Sequence, residues 1–212
     1  MRFITIEQKL KDLLFNPDLF FSEKLKNEVS LKYPVLIILV DSIFLALISS
    51  FAPRGRSLLS IFENSIFGGY AGWIIPTVVF YLISLIFKSD GSLTRTLEFV
   101  SYGFLPGIFA GVVNLIIHFI SRNSFNMSPI NPRLNLEYQI QLIIHNPIVQ
   151  ASTIIGFFCL LWTLYIFMFA LVHALNLSKR NAIITVSVPY VFSFALLLIG
   201  LHFMTTYSNF HN

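Results

Sequence analysis

The stretch from residue 98 to residue 120, EFVSYGFLPGIFAGVVNLIIHFI, is the feature that most constrains the fold. It is apolar and long enough to cross a bilayer as an α-helix, which takes about 20 residues. At 100° per residue, small and polar side chains share one stripe and bulky apolar side chains cover the rest of the circumference. The stripe consists of Gly103, Gly107, Ala110, Gly111, Asn114 and His118. It predicts a seam for close helix packing or, as a second interpretation, a groove with two polar groups at one end.

Four more stretches have the same apolar character, at residues 33–51, 65–87, 147–175 and 182–204. Hydrophobic residues make up 56% of the chain and charged residues 11%, which is more apolar than a soluble domain of this size hides in its core. Part of the surface must therefore face lipid. The sequence predicts an all-α polytopic membrane protein, with a bundle of five transmembrane helices over residues 33–206.

Residues 1–32 form a separate hydrophilic segment with eleven charged side chains. Its apolar residues recur at helical spacing, and Asn16-Pro17 is typical of an N-cap followed by proline at the start of a second short helix. Two short amphipathic helices beside a span can lie in the headgroup layer, fold against the bundle or dock a partner. We predict that they pack at the membrane interface as a cytoplasmic N-terminal segment.

The Lys and Arg residues are distributed unevenly between the two sides of the predicted bundle. The N-terminal segment and the second and fourth connections carry ten of them, whereas the first and third connections carry four. The side richer in Lys and Arg is usually cytoplasmic. The N-terminus is therefore predicted to be inside and the C-terminus outside, in the cell membrane if the protein is prokaryotic.

Asp41 lies near the middle of the first predicted span, where a carboxyl group is costly unless it is protonated or paired. We therefore expect it to face the protein interior. One interpretation is a polar binding site, formed with Asn114 and His118, for an ion, a proton or a small ligand. The other is a neutral, hydrogen-bonded carboxyl group that clamps two helices together.

The fourth span also carries small side chains within a stripe of about 60° at helical pitch. Its members are Ser152, Gly156, Cys159, Thr163, Ala170 and Ala174. Two such stripes predict that the third and fourth spans pack directly together. The candidate packing positions are Gly103, Gly107, Gly111, Gly156 and Thr163.

Motifs for catalysis, cofactors or metals are not found in the sequence. There is no nucleophile elbow or phosphate-binding glycine loop, and the single cysteine leaves no intrachain disulfide or cysteine-based metal site. A metal site shared by His118, His145 and His202 from different elements is the alternative to separate interfacial histidines. Glu98 is interpreted as a helix-start glutamate, and His173 as a side chain that snorkels or caps a helix end.

Three segments resemble the Yip domain family. The residues EFVSYGFLPG (98–107) are similar to the family's third-span signature, in which a Tyr and small residues precede a proline. The residues WTLYIFMFALVHALNLSKRNA (162–182) are similar to its fourth span and following turn, with Leu177, Ser178, Lys179 and Ala182 in the turn. The residues NPDLFF (16–21) resemble the proline-aromatic opening common before the first span.

The resemblance implies a five-span protein with a cytoplasmic N-terminus and no catalytic activity. Eukaryotic members carry a long hydrophilic N-terminal extension and are associated with Rab-type GTPases, with each other and with traffic between endoplasmic reticulum and Golgi. Only residues 1–32 precede the first span here, which fits a prokaryotic member.

The expected function is that of a non-enzymatic membrane scaffold or adaptor, linked to membrane organisation or trafficking. It would associate through its spans and present residues 1–32 to a cytoplasmic partner. The expected partners are the lipid bilayer and another protein or a second copy, with no nucleic acid and no cofactor. The alternative is a small transporter or ion-coupled permease centred on Asp41, Asn114 and His118.

Overall fold

The computed structural model describes residues 6–50, 57–122 and 147–210, which are helical apart from short connections. The helices are α1 (Ile6–Phe15), α2 (Pro17–Lys24), α3 (Lys32–Ser50), α4 (Leu58–Ile86), α5 (Leu93–Ser101), a 3-10 turn (Tyr102–Phe104), α6 (Leu105–Arg122), α7 (Pro147–Leu175) and α8 (Lys179–Phe210). Five stretches are long and apolar enough to cross a bilayer: α3, α4, α5 continued into α6, α7 and α8. The predicted all-α bundle of five membrane-spanning helices is confirmed.

Two of the spans begin earlier than expected because serine side chains cap them. The Ser57 hydroxyl accepts a hydrogen bond from the Ser60 N–H, so α4 begins at Leu58. The Ser92 hydroxyl accepts one from the Arg95 N–H, and α5 begins directly after it. Each cap satisfies a backbone donor that has no partner within its helix.

The turns after α4 and α7 are closed by residues in the left-handed region. Lys88 has a φ of 55° and Asn176 a φ of 53°. The N–H of the residue after Asn176, Leu177, returns to the Val172 carbonyl at 3.2 Å, which ends α7 in a hydrogen-bonded turn. Gly91 lies so close to the backbone at the end of α7 that a side chain there would collide with it. The two turns are therefore packed onto each other.

The third span is not one continuous α-helix. It passes through the 3-10 turn just before Pro106. Proline has no N–H, and its ring clashes with the carbonyl four residues earlier, here Tyr102. The span therefore changes helix type for a short stretch before Pro106. Glu98 lies within α5 rather than at its first residue, so it is not a helix-start glutamate.

The helices pack as neighbouring pairs, with α3 against α4 and α6, and α7 against α5, α6 and α8. The third and fourth spans therefore pack directly together, as the two stripes predict. The fully buried side chains concentrate at one end of the bundle, which we call the capped end. It is formed by α1, α2, the start of α3, residues 73–86 of α4, α5 with the 3-10 turn, residues 162–175 of α7 and residues 176–186. Its core includes Phe21, Phe99, Val100, Phe167, Leu171, Leu175 and Ala182.

The opposite end, which we call the open end, comprises the start of α4, α6, residues 147–158 of α7 and α8 beyond Val186. Bulky apolar side chains there are exposed, among them Phe109, Phe119, Ile154, Phe157, Phe158, Val191, Phe192 and Phe194. Such side chains suit acyl chains rather than water.

Candidate functional site

Asp41 lies on α3 against the small-residue stripe of the third span. A Cβ placed on Gly107 would be 3.0 Å from Oδ1 of Asp41, so the missing side chain of the glycine makes room for the carboxyl group. Asp41 has no hydrogen bond or ion pair to any residue that the structure describes. Asp41 therefore faces another helix, as expected. The hydrogen-bond partner that it would need in order to clamp two helices together is not found among those residues.

Asn114 lies two helical turns beyond Gly107, roughly 10 Å further along the third span at 1.5 Å per residue. Its Oδ1 is buried and has no hydrogen-bond partner in the described part of the chain. Asp41 and Asn114 thus follow the same stripe at different depths rather than converging on one point. The side chain of His118 lies outside the described residues, so its place in a three-residue site stays a prediction.

The candidate packing glycines differ in what they contact. A Cβ on Gly103 would collide with the Phe167 ring of α7, and a Cβ on Gly111 would be 2.9 Å from Cβ of Phe44 on α3. At Gly156 a Cβ would meet no described atom within 4 Å, so the expected packing role has no contact to depend on there. Thr163 is half-buried.

The histidine-based metal site falls outside the described residues. The side chains of His118 and His202 and the whole of His145 are not among them, so that site stays a prediction. Within the described ranges, no group of three His, Cys, Asp or Glu side chains could hold a metal ion.

Glu98 is the centre of a buried ion-pair network that the sequence did not indicate. Its side chain is 0% exposed, and Nζ of Lys24 lies 3.1 Å from Oε1 in an ion pair that is not aligned as a hydrogen bond. Arg95 donates to Oε2 at 3.0 Å. A second Arg95 nitrogen donates to the Asn27 carbonyl at 2.7 Å, between α2 and α3.

Aromatic side chains surround the Lys24 ammonium group. It lies 5.9 Å from the ring centre of Tyr33 and 6.0 Å from that of Tyr102. Burial alone would lower the pKa of Lys24, but Tyr102 and Glu98 outweigh it, and the pKa is raised above its usual 10.5. Lys24 therefore stays charged, and both Glu98 oxygens are engaged by cations. The arrangement ties α2 to α5 through charges that are paired inside the bundle.

A second ionic contact holds the start of α2. The Asp18 carboxylate accepts from Nε2 of His173 at 2.7 Å and lies 3.3 Å from Nζ of Lys179. The hydrogen bond from His173, helped by Lys179, lowers the pKa of Asp18 despite some desolvation. His173 thus pairs with α2 instead of snorkelling or capping its own helix.

Two tryptophans complete the attachment of the N-terminal helices and α5. The Trp162 indole of α7 donates to the Leu14 carbonyl of α1 at 2.9 Å, and the Trp73 indole of α4 donates to the Leu97 carbonyl of α5 at 3.0 Å. Phe21 is fully buried beside Phe99. Of the three arrangements open to the N-terminal helices, the structure has them folded against the bundle.

Only part of this network has a signal in the sequence. Arg95 and Glu98 stand three residues apart, a spacing that brings charges together on a helix. Lys24 and Asp18 lie far from their partners in sequence, and no periodicity connects them.

Comparisons with known proteins agree with the architecture. The model of the Yip1 domain matches residues 11–201 of the chain. The uncharacterized protein MJ0794 of Methanocaldococcus jannaschii is 36% identical over 131 residues, which cover 55% of this chain and 93% of that protein. This archaeal relative agrees with the expectation of a prokaryotic member. No solved structure matches the chain.

Proposed function

Because the chain belongs to the Yip1 domain family, we propose that this integral membrane protein is a non-enzymatic scaffold that receives a protein partner at its capped end. The observation that carries the proposal is the ion-pair network around Glu98. It makes α2 and the α2–α3 connection a fixed part of the bundle, so that this surface needs no ordering before a partner binds. A cytoplasmic position for the capped end is supported by the distribution of charge, since ten of the 14 Lys and Arg residues fall in residues 1–32 and in the second and fourth connections.

The surface proposed for the partner is the α2–α3 connection. Leu25 and Val29 are 45% and 40% exposed, and the charged side chains of Lys26 and Glu28 are exposed beside them. Apolar groups rimmed by charges are typical of protein contacts. Association with a second copy or with a membrane-spanning partner would use the lipid-facing sides of the spans, where small side chains allow close helix contact.

A photo-crosslinking experiment tests this function. A crosslinking amino acid is placed at Val29 and, as a control, at the exposed Leu58 of the open end, and the protein is purified from its membrane in mild detergent. We expect a specific protein adduct from position 29 that is lost in Leu25→Lys but kept in Leu59→Lys. A strictly monomeric protein, with no adduct at position 29 that depends on Leu25, would contradict the scaffold role.

A second candidate function, an ion-coupled permease, is favoured by the polar groups between α3 and the third span. The Asn114 oxygen is buried without a partner among the described residues, and the half-buried Asp41 makes no hydrogen bond or ion pair to them. Such groups are costly inside a membrane, so their presence there favours a functional role. Cation and proton flux into vesicles containing the wild-type protein, Asp41→Asn or the control Glu63→Gln would test it. This candidate requires flux that is lost in Asp41→Asn and kept in Glu63→Gln. Absence of flux in the wild type for all the cations tested would exclude it.

A further inference from the structure

The connection between α1 and α2 lies unusually far along the fourth span. Trp162, which donates to the Leu14 carbonyl, is near the middle of the 29-residue helix α7. The Phe15 ring packs beside the same indole, with ring centres 6.2 Å apart. The Leu14 carbonyl is one of the last in α1, and such carbonyls have no donor within their own helix. The Trp162 indole therefore provides the hydrogen-bond partner that this carbonyl would lack.

This contact fixes the depth of the connection in the bilayer. At 1.5 Å per residue, α7 is about 43 Å long and Trp162 lies roughly 20 Å from either end. A hydrocarbon layer about 30 Å thick, placed anywhere along such a helix, includes its middle. An indole extends only about 6 Å from its backbone, on the scale of one helical turn. The end of α1 therefore lies at the depth of the acyl chains.

Most of the outward side of the connection is apolar, although Asn16 at the turn itself is exposed. Phe15 is 72% exposed, and Leu10 and Leu19 are also exposed; we call these three residues the elbow. The neighbouring lipid-facing side chains of α7, Leu161 and Tyr165, are exposed as well. The elbow is thus continuous with the surface that the fourth span turns towards lipid.

We propose that the elbow is inserted among the acyl chains of the phospholipid leaflet at the capped end, so that α1 is a membrane-embedded helix rather than a segment in water. Transferring one large apolar side chain from water to an apolar environment is favourable by about 1.5–3 kcal/mol. Phe15 would lose this stabilisation if it were exposed to water. The exposed Lys9 and Lys11 have stems long enough to carry their charges towards the headgroups. The surface proposed for a protein partner, at Leu25 and Val29, is separate from the elbow.

Site-specific fluorescence in phospholipid vesicles tests the insertion. Cys159 is the only cysteine, so Cys159→Ala provides a background for single cysteines at Phe15, at the exposed Lys26 as a water reference and at Leu196 on α8 as a lipid reference. Each cysteine is labelled with an environment-sensitive dye and the protein is reconstituted in phosphatidylcholine. Quenching is measured with brominated acyl chains and with aqueous iodide. Cys159 is buried, so its labelling in the wild type serves as a blank if the Cys159→Ala variant does not fold.

We expect the dye at position 15 to be quenched by brominated acyl chains as strongly as the dye at position 196. Iodide should quench it several-fold less than at position 26. Iodide quenching equal to that at position 26 would overturn the insertion, since the elbow would then face water. Protection from both quenchers would overturn it too, because another protein or a second copy would then cover the elbow. Loss of partner crosslinking at Val29 would leave these readings unaffected.

Discussion

The two ends of the bundle have similar apolar sequences but differ in how they are packed. At the capped end, Phe21, Phe99 and Phe167 are almost fully buried, and the charged side chains near them are paired. At the open end, consecutive residues of α8 such as Val191 and Phe192 are exposed around the helix. Helix α8 shows both behaviours along one element, since Ala182, Thr185 and Val186 are buried on one side near its start, whereas residues 191–196 are all exposed.

The difference shows that apolar character alone does not identify the core of a membrane protein. In lipid, burying an apolar side chain against another helix gains no hydrophobic energy over burying it against acyl chains. What distinguishes the capped end is a set of polar partners and glycines that fit specific neighbours. The ion pairs of Glu98, the indole hydrogen bonds and the contact of Gly103 with Phe167 all lie there.

The largest expected effect is the loss of the buried carboxylate. Glu98→Ala leaves Lys24 and Arg95 close together without their counter-charge, which costs about 3–5 kcal/mol for a buried ion pair. For a chain of this size that corresponds to a fall of about 10 °C in the midpoint of thermal unfolding in detergent. Midpoints measured by the loss of the monodisperse species check it.

The control for Glu98 is Glu63→Ala, because Glu63 is an exposed glutamate of α4 near the open end. We expect it to change stability by less than about 0.5 kcal/mol. Restoring charge balance with Lys24→Met in the Glu98→Leu background should recover part of the loss. Equal midpoints for the two alanine variants would mean that the ion pairs do not hold α2.

A second comparison uses one phenylalanine from each end. Phe21→Ala removes a fully buried ring and opens a cavity beside Phe99, with an expected loss of about 3 kcal/mol. Phe192→Ala changes a ring that is 64% exposed, and lipid fills the space, so the loss should stay below about 1 kcal/mol. Thermal midpoints in the same detergent compare them. A loss at Phe192 as large as that at Phe21 would show that another protein surface covers the open end.

The sequence predicts the fold well because the length and the apolar composition of each span are local properties of the sequence. The five spans, the stripe of the third span and its contact with the fourth all follow from helical periodicity, and Gly103, Gly107 and Gly111 each lie against another helix. The attachment of the N-terminal helices is different in kind. The pairs Lys24–Glu98 and Asp18–His173 join residues remote in sequence, and their meeting depends on how the helices are arranged in space. One sequence on its own contains no periodicity that links residues so far apart, so the packing of the capped end could not be predicted from it.

A third, smaller effect on stability distinguishes Gly111, in the small-residue stripe of the third span, from Gly156, in that of the fourth. In Gly111→Ala the new methyl group lies 2.9 Å from Cβ of Phe44, an atom close to its backbone that has little freedom to move. We expect a loss of about 1–3 kcal/mol from overpacking between α3 and α6. Gly156→Ala meets nothing within 4 Å among the described atoms and should be neutral or up to about 1 kcal/mol more stable, as alanine favours helix. A destabilised Gly156→Ala in a bilayer would reveal a partner packed on α7.

The smallest expected effect is the pH dependence of the Asp18 contact. His173, and then Lys179, lower the pKa of Asp18 below its usual 3.8, so the folded state binds this proton less readily than the unfolded state. The contact therefore stabilises the fold above pH 3.8, and its contribution is lost as pH falls further, through the lowered pKa. Asp18 meets His173 and Lys179 at the end of α7, away from the depth proposed for Phe15, and its partial exposure to water there limits the contribution to less than about 1 kcal/mol. Unfolding midpoints of the wild type and Asp18→Asn should differ at neutral pH and converge in acid, whereas Asp90→Asn, at an exposed turn, should follow the wild type. A difference that persists unchanged in acid would mean that Asp18 acts through packing and not through its charge.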